Sequence, residues 1–247
     1  MLNTAAISAS SADRRPWIIL PSRMLLFIFF QALIALGFAL TGSADAWQAS
    51  AAWWPWTVTL GNMVCLYLLV NLFRGEGLNY WDLFRFDRKK IKNDLLVLVP
   101  ALIITGPVAM MPSTWISTAL FGDLMVAMRV FLSPLPPLGI FAAVVLFPVT
   151  QGMVELAFYF FYAMPRLAKQ VNPWAAYAIA CLFLGIQHLA IPLVLDGRFI
   201  TWRGLMFIPF AFFIGAVLKF RPSLLPYLAV VHVLMDMGTG LMYLMPF

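Results

Sequence analysis

Four ionisable side chains stand inside long apolar stretches of this chain: Glu155, His188, His232 and Asp236. An ionisable group at membrane depth costs roughly 2.5–3.5 kcal/mol on insertion scales, so such groups are rare and usually functional. His232 and Asp236 are four residues apart, so on a helix they share a face about one turn apart. Asp236 is then placed to hold the imidazole in one tautomer, or to orient whatever the imidazole binds. Glu155 lies in the run Gln151-Gly-Met-Val-Glu155-Leu-Ala-Phe, with Gln151 one turn earlier and within hydrogen-bonding reach. His188 follows Gly185 and Gln187; the glycine lets another helix come close, and the glutamine adds a second polar group.

Two chemistries suit this set. A carboxylate with histidines can activate a water and stabilise the oxyanion formed when that water attacks an amide. Alternatively, Glu155, His188 and His232, with Asp236, form a nitrogen/oxygen set of the kind zinc uses. No His-Glu-x-x-His helix favours the metal, so the metal-free reading ranks first and no cofactor is expected. Each residue also has a plain structural reading. The His232/Asp236 pair can staple two helices together, His188 can be a packed histidine, and Glu155 can be a neutral acid bonded to a neighbouring helix. Chance placement of all four in membrane spans is harder to accept than any one of these.

The elements that must carry these groups follow from composition. Of 247 residues, 63% are hydrophobic and only 11% charged, with a mean hydropathy of +0.92. A soluble domain averages about 25% charged residues, so most of this chain must face lipid or other membrane helices. A span takes roughly 20 apolar residues, and the apolar runs are continuous rather than the short alternating strands of a barrel. The expected fold is an all-α polytopic bundle of about seven spans plus an interfacial helix. It forms a single membrane domain, 16–247, behind a mobile N-terminal tail, 1–15. The net charge of +6 does not point to nucleic acid, because the charge is concentrated in one loop with Arg85, Arg88, Lys89, Lys90 and Lys92. That loop, 74–92, reads as cytoplasmic by the positive-inside rule and as lying on anionic headgroups. Cys65 and Cys181 lie in apolar runs and behave as small hydrophobes.

Spans are expected at about 24–41, 53–73, 93–112, 138–164, 172–195, 204–220 and 223–245. Residues 113–136 are apolar but contain Asp123 and Arg129, and read as a re-entrant, interfacial or weakly spanning helix. If that segment does not cross, Arg14, Arg15, the basic loop, Arg166, Lys169, Lys219 and Arg221 all fall on the cytoplasmic side with the N-terminus. Only Arg198 and Arg203 then fall outside among the later loops. The first run ends near Ala44-Asp45-Ala46, which resembles a signal-peptide cleavage site. Its length favours a retained first span.

A glutamate span, a span whose motif ends in His188, and a C-terminal His232-x-x-x-Asp236 together resemble the CAAX prenyl protease and bacteriocin-processing (CPBP, or Abi) family. Its members are intramembrane glutamate proteases. The usual motifs of that family are Glu-Glu-x-x-x-Arg, Phe-x-x-x-His and His-x-x-x-Asn/Asp. Glu155 falls on the first glutamate, with Leu156 at the second and Phe160 at the arginine position. Leu184 falls on the phenylalanine position, with Phe183 one residue early, and His232 and Asp236 match the third motif in full. The resemblance covers about 138–245 and includes the run from Phe210 to His232. It implies an endopeptidase in which Glu155 activates water, His188 assists, and His232 with Asp236 stabilises the oxyanion. The substrate would be a peptide or a membrane-anchored protein, in a bacterial cytoplasmic membrane. The alternative is a catalytically inactive member acting as an assembly, immunity or scaffold subunit of a membrane complex. A proton relay is a third reading, but no duplicated halves of a secondary transporter are visible.

Overall fold

A computed structural model describes residues 13–245; the first twelve residues of the expected N-terminal tail lie outside the described residues. Seven helices are long and apolar enough to cross a membrane: Arg15–Leu40, Trp54–Gly75, Ile91–Phe121, Pro137–Leu167, Pro173–Ala190, Gly197–Phe220 and Pro222–Leu244. No strand occurs among the described residues. The chain is an all-α integral membrane protein, as its composition requires. Large side chains such as Leu25, Phe29, Ile103 and Met110 point outward. Such a surface would be a liability in water; acyl chains cover it in a bilayer.

Several boundaries differ from those expected. The fifth span ends at Ala190 rather than at about 195, and the sixth starts at Gly197 rather than at about 204, which takes Arg198 and Arg203 into the helix. The first span starts at Arg15 rather than at about residue 24, because Pro16 sits in the first turn, where a missing N–H costs nothing. Residues 113–136 form no span of their own. Residues 113–121 extend the third span to Phe121, and Gly122 ends it in the left-handed region at φ +81°. Asp123 then accepts the Met125 N–H at 3.0 Å and caps a short helix, Leu124–Phe131. Phe131 stacks on Trp54 at 4.6 Å, and its carbonyl accepts the Trp54 indole N–H at 2.9 Å.

Contacts between span ends show the alternation of direction. Trp17 donates to Gln170, the Glu76 carboxylate grips Arg166, and Ser223 donates to Asp94, all at one end. Trp47 donates to the Leu193 carbonyl and Trp56 to the Leu138 carbonyl at the other. The basic loop lies at the Arg166 end, where it holds a short 3-10 helix, Tyr80–Phe84, with Tyr80 and Leu83 buried.

The fourth span is irregular for identifiable reasons. It contains π-helical segments at Ala142–Leu146 and Ala157–Ala163. Pro165 has no N–H for the Phe161 carbonyl. The Arg166 guanidinium donates to that carbonyl at 3.2 Å and to Tyr162 at 2.8 Å instead. The Tyr80 hydroxyl takes the Met153 carbonyl. Freed carbonyls at membrane depth must find such partners, since no water is available there.

Glycines set how closely the seventh span approaches the fourth. A Cβ at Gly240 would lie 2.2 Å from the Ala143 carbonyl oxygen, and one at Gly152 2.8 Å from that of Ala229. Backbone cannot yield cheaply at either point. Gly240→Ala and Gly152→Ala are each expected to destabilise the bundle by about 1–3 kcal/mol. Gly106→Ala, with nothing within 4 Å, should not. Thermal unfolding in detergent checks the contrast.

Candidate active site

Two apolar clusters fill the bundle. One gathers Leu69, Phe73, Tyr80 and Phe158 towards the basic end; the other gathers Phe27, Trp54, Phe147 and Trp202 towards the opposite end. Between them lies a buried polar layer drawn from five spans. The first contributes Arg23 and the second Asn62. The fourth contributes Gln151, Glu155 and Tyr159, the fifth Gln187 and His188, and the seventh His232 and Asp236.

The carboxylate of Glu155 sits at the centre. Its Oε1 accepts the Gln187 amide N–H at 2.8 Å and lies 3.8 Å from His188 Nε2 and 3.6 Å from Arg23 Nη1. Its Oε2 accepts the Gln151 amide and lies 3.6 Å from His232 Nε2. His232 Nε2 is in turn 3.3 Å from Asp236 Oδ2. Side-chain exposure grades outward, from 2% at Glu155 to 11% at His188 and 17% and 18% at His232 and Asp236. All four residues singled out from the sequence therefore converge on one place.

Local structure fixes how each group points. His188 lies in the fifth span's 3-10 end, Gln187–Ala190, and its Nδ1 lies 3.0 and 3.1 Å from the carbonyls of Leu184 and Gly185. A carbonyl only accepts, so Nδ1 carries the hydrogen, and the Nε2 of a neutral ring presents its lone pair towards Glu155. Gly185 does what its position suggested. A Cβ there would meet Ile208 Cγ1 at 2.8 Å, so the sixth span packs directly on the fifth. Gln151 makes the bond to Glu155 that its spacing promised. Asp236 is close to His232 without an aligned hydrogen bond, and its Oδ2 has no hydrogen-bond partner among the described residues. It faces the imidazole without holding it through a hydrogen bond.

Sequence reasoning missed three members of the layer: Arg23, Asn62 and Tyr159. Arg23 is fully buried and donates to Asn62 Oδ1 from Nε at 3.1 Å and Nη2 at 2.9 Å. It also donates to Gln187 Oε1 and Gln151 Oε1, each at 2.5 Å. The Tyr159 hydroxyl donates to Gln187 Oε1 at 2.9 Å. Arg23 falls just before the run expected to begin at 24, where an arginine reads as a membrane-edge residue. Starting the helix at Arg15 carries it about 12 Å inward at 1.5 Å per residue. The insertion cost that singled out Glu155 applies equally to this arginine, and that was the available signal.

Among the described residues, no group of three or more His, Cys, Asp or Glu side chains has the geometry to hold a metal ion. The zinc alternative on Glu155, His188 and His232 thus lacks a matching arrangement of donors. The glutamate oxygens are already engaged by two amides. A cavity of about 720 Å³ opens at the basic end, reached by Phe160 from the fourth span and Pro226 from the seventh. None of the four residues lines it. Comparison with family models, curated proteins and solved structures finds no match.

With only two histidines in the chain, their nitrogens can be assigned by substituting one at a time. Nitrogen NMR of histidine-labelled protein is expected to show neutral His188 as the Nδ1–H tautomer. An Nε2–H signal for His188 would contradict the geometry.

Proposed function

We propose that this chain is an intramembrane endopeptidase with Glu155 as its general base, related to the CPBP family it resembles. One observation carries the reading. Glu155 Oε1 and His188 Nε2 are two acceptors facing each other 3.8 Å apart. A water is the small group with two hydrogens to offer them, and a molecule set to one side of the line can reach both. His232 Nε2, 3.6 Å from the other carboxylate oxygen, completes the set.

In this reading the water oxygen adds to the carbonyl carbon of a peptide bond as one proton passes to Glu155. His188 holds the second hydrogen. His232 donates from Nε2 to the oxyanion, with the Asp236 carboxylate beside it. The C–N bond then breaks as the proton on Glu155 is delivered to the leaving nitrogen, giving an acid and an amine. The graded exposure of His188, His232 and Asp236 leaves the imidazole side of the carboxylate as the approach for substrate. That substrate is a peptide or membrane-anchored protein, and the protein resides in a bacterial cytoplasmic membrane with its N-terminus and loop 74–92 inside.

A second reading, an inactive scaffold or immunity subunit of a membrane complex, is favoured by a different observation. Glu155 is almost wholly buried, both its oxygens are occupied by amides, and the cavity at the basic end stops short of it.

The readings separate on substitution. As a protease, Glu155→Gln and His188→Ala should insert normally but lose processing of a genetically linked substrate by roughly 10²-fold to 10⁴-fold. Unchanged processing in both variants, with a stable partner co-purifying in gentle detergent, would establish the scaffold reading instead. The topology has its own check. In intact cells, a cysteine placed at exposed Arg88 should resist a membrane-impermeant thiol reagent, and one placed at exposed Gly197 should react. The reverse pattern would invert the orientation.

A further inference from the structure

We infer that Arg23 is a positioning residue of this site, orienting the Gln151 and Gln187 amides and, through them, the Glu155 carboxylate. The first span is thereby a working part of the site. The inference rests on reading Glu155 as the reacting carboxylate.

The orientation follows from donor and acceptor counting. Arginine offers only N–H donors, and an ionised carboxylate offers only acceptors. Each glutamine amide lies between the two. Gln151 turns Oε1 to Arg23 at 2.5 Å and its amide N–H to Glu155. Gln187 turns Oε1 to Arg23 at 2.5 Å and donates to Glu155 at 2.8 Å. A flip of either amide would set oxygen against carboxylate and N–H against guanidinium, so each has one tolerable orientation. Asn62 locks the other edge of the arginine. Its Oδ1 accepts from Nε and Nη2, and its Nδ2 donates to Gln151 Oε1 at 2.9 Å.

Each glutamine therefore holds a different carboxylate oxygen, and each oxygen faces a different histidine, Oε1 to His188 and Oε2 to His232. A planar fork can reach three amide oxygens at once; a lysine ammonium, a point charge on a flexible stem, cannot reproduce that arrangement. Removing the first span at Ala44-Asp45-Ala46 would withdraw the fork and leave each amide oxygen a single donor, Asn62 for Gln151 and the Tyr159 hydroxyl for Gln187.

The test uses the full-length protein in detergent micelles with labelled glutamine side chains. The chain has five glutamines, and Gln151→Met and Gln187→Met assign the two signals of interest. In the wild type these two amides should exchange hydrogen slowly. Arg23→Met should shift both and speed their exchange roughly 10-fold to 100-fold. Arg23→Lys retains the positive charge needed for folding and should still shift at least one. Two unmoved signals in Arg23→Lys would overturn the inference. This readout stands whether or not a cleavable substrate is found. Where cleavage is measurable, Arg23→Lys should lower kcat by about 10²-fold with KM little changed. A raised KM with unchanged kcat would overturn the positioning role, and unchanged processing in Glu155→Gln would defeat the hydrolytic reading alone.

Discussion

The structure depends on one constraint: a guanidinium and a carboxylate buried together at membrane depth must each have every polar atom answered. Arg23 is fully buried and Glu155 nearly so, and they stand 3.6 Å apart. Breaking such a pair from one side costs about 3–5 kcal/mol, because the remaining charge is left uncompensated. Direct attraction alone does not settle the account. Asn62, Gln151 and Gln187 fill the space between and around the two charges, converting a costly burial into a closed hydrogen-bond network. Five spans meet at that layer, and two apolar clusters close it from either side.

The network also explains the irregularities of the fourth span. That helix must present Gln151 and Glu155 to the first and fifth spans, and Tyr159 to Gln187, while passing two prolines. Wide π turns accommodate these demands and recur at functional sites. The unpaired carbonyls are met by Arg166 and Tyr80 from the basic end. Gly152 and Gly240 then let the seventh span come close enough for His232 to face Glu155. Packing and chemistry are therefore coupled along a single helix.

The part of the layer in which Arg23, Asn62, Gln151 and Gln187 close around Glu155 is rigid, and it serves either reading of the protein. In a hydrolytic site, rigidity keeps the base oriented without reorganisation as charge develops. In a scaffold, the same layer fixes which helices neighbour which. What leans towards chemistry is asymmetry. The arginine side of Glu155 is closed by donors, while the imidazole side faces the lone pair of His188 and the Nε2 of His232, whose neighbour Asp236 has an oxygen with no hydrogen bond.

Much of this was legible along the chain. Continuous apolar runs determined an all-α membrane bundle, because a backbone in hydrocarbon has to satisfy itself within each helix. The same physics marked Glu155, His188, His232 and Asp236 as one site, since ionisable groups at that depth are too costly to scatter. Gln151 and Gly185 were legible from spacing alone. Arg23 carries the same burial-cost signal but reads as a membrane-edge residue. Asn62 and Tyr159 carry none, because their partners lie 28 to 89 positions away in sequence, and local periodicity says nothing about such distances. The 113–136 segment also exceeded local reasoning. Its composition is ambiguous, and the choice between crossing and stopping fell to Gly122 and to the packing of Phe131 on Trp54. Composition and residue type decided that a polar site exists in the membrane. Only the tertiary structure decided that an arginine from the first span stands behind its glutamate, because helix docking alone brings those charges together.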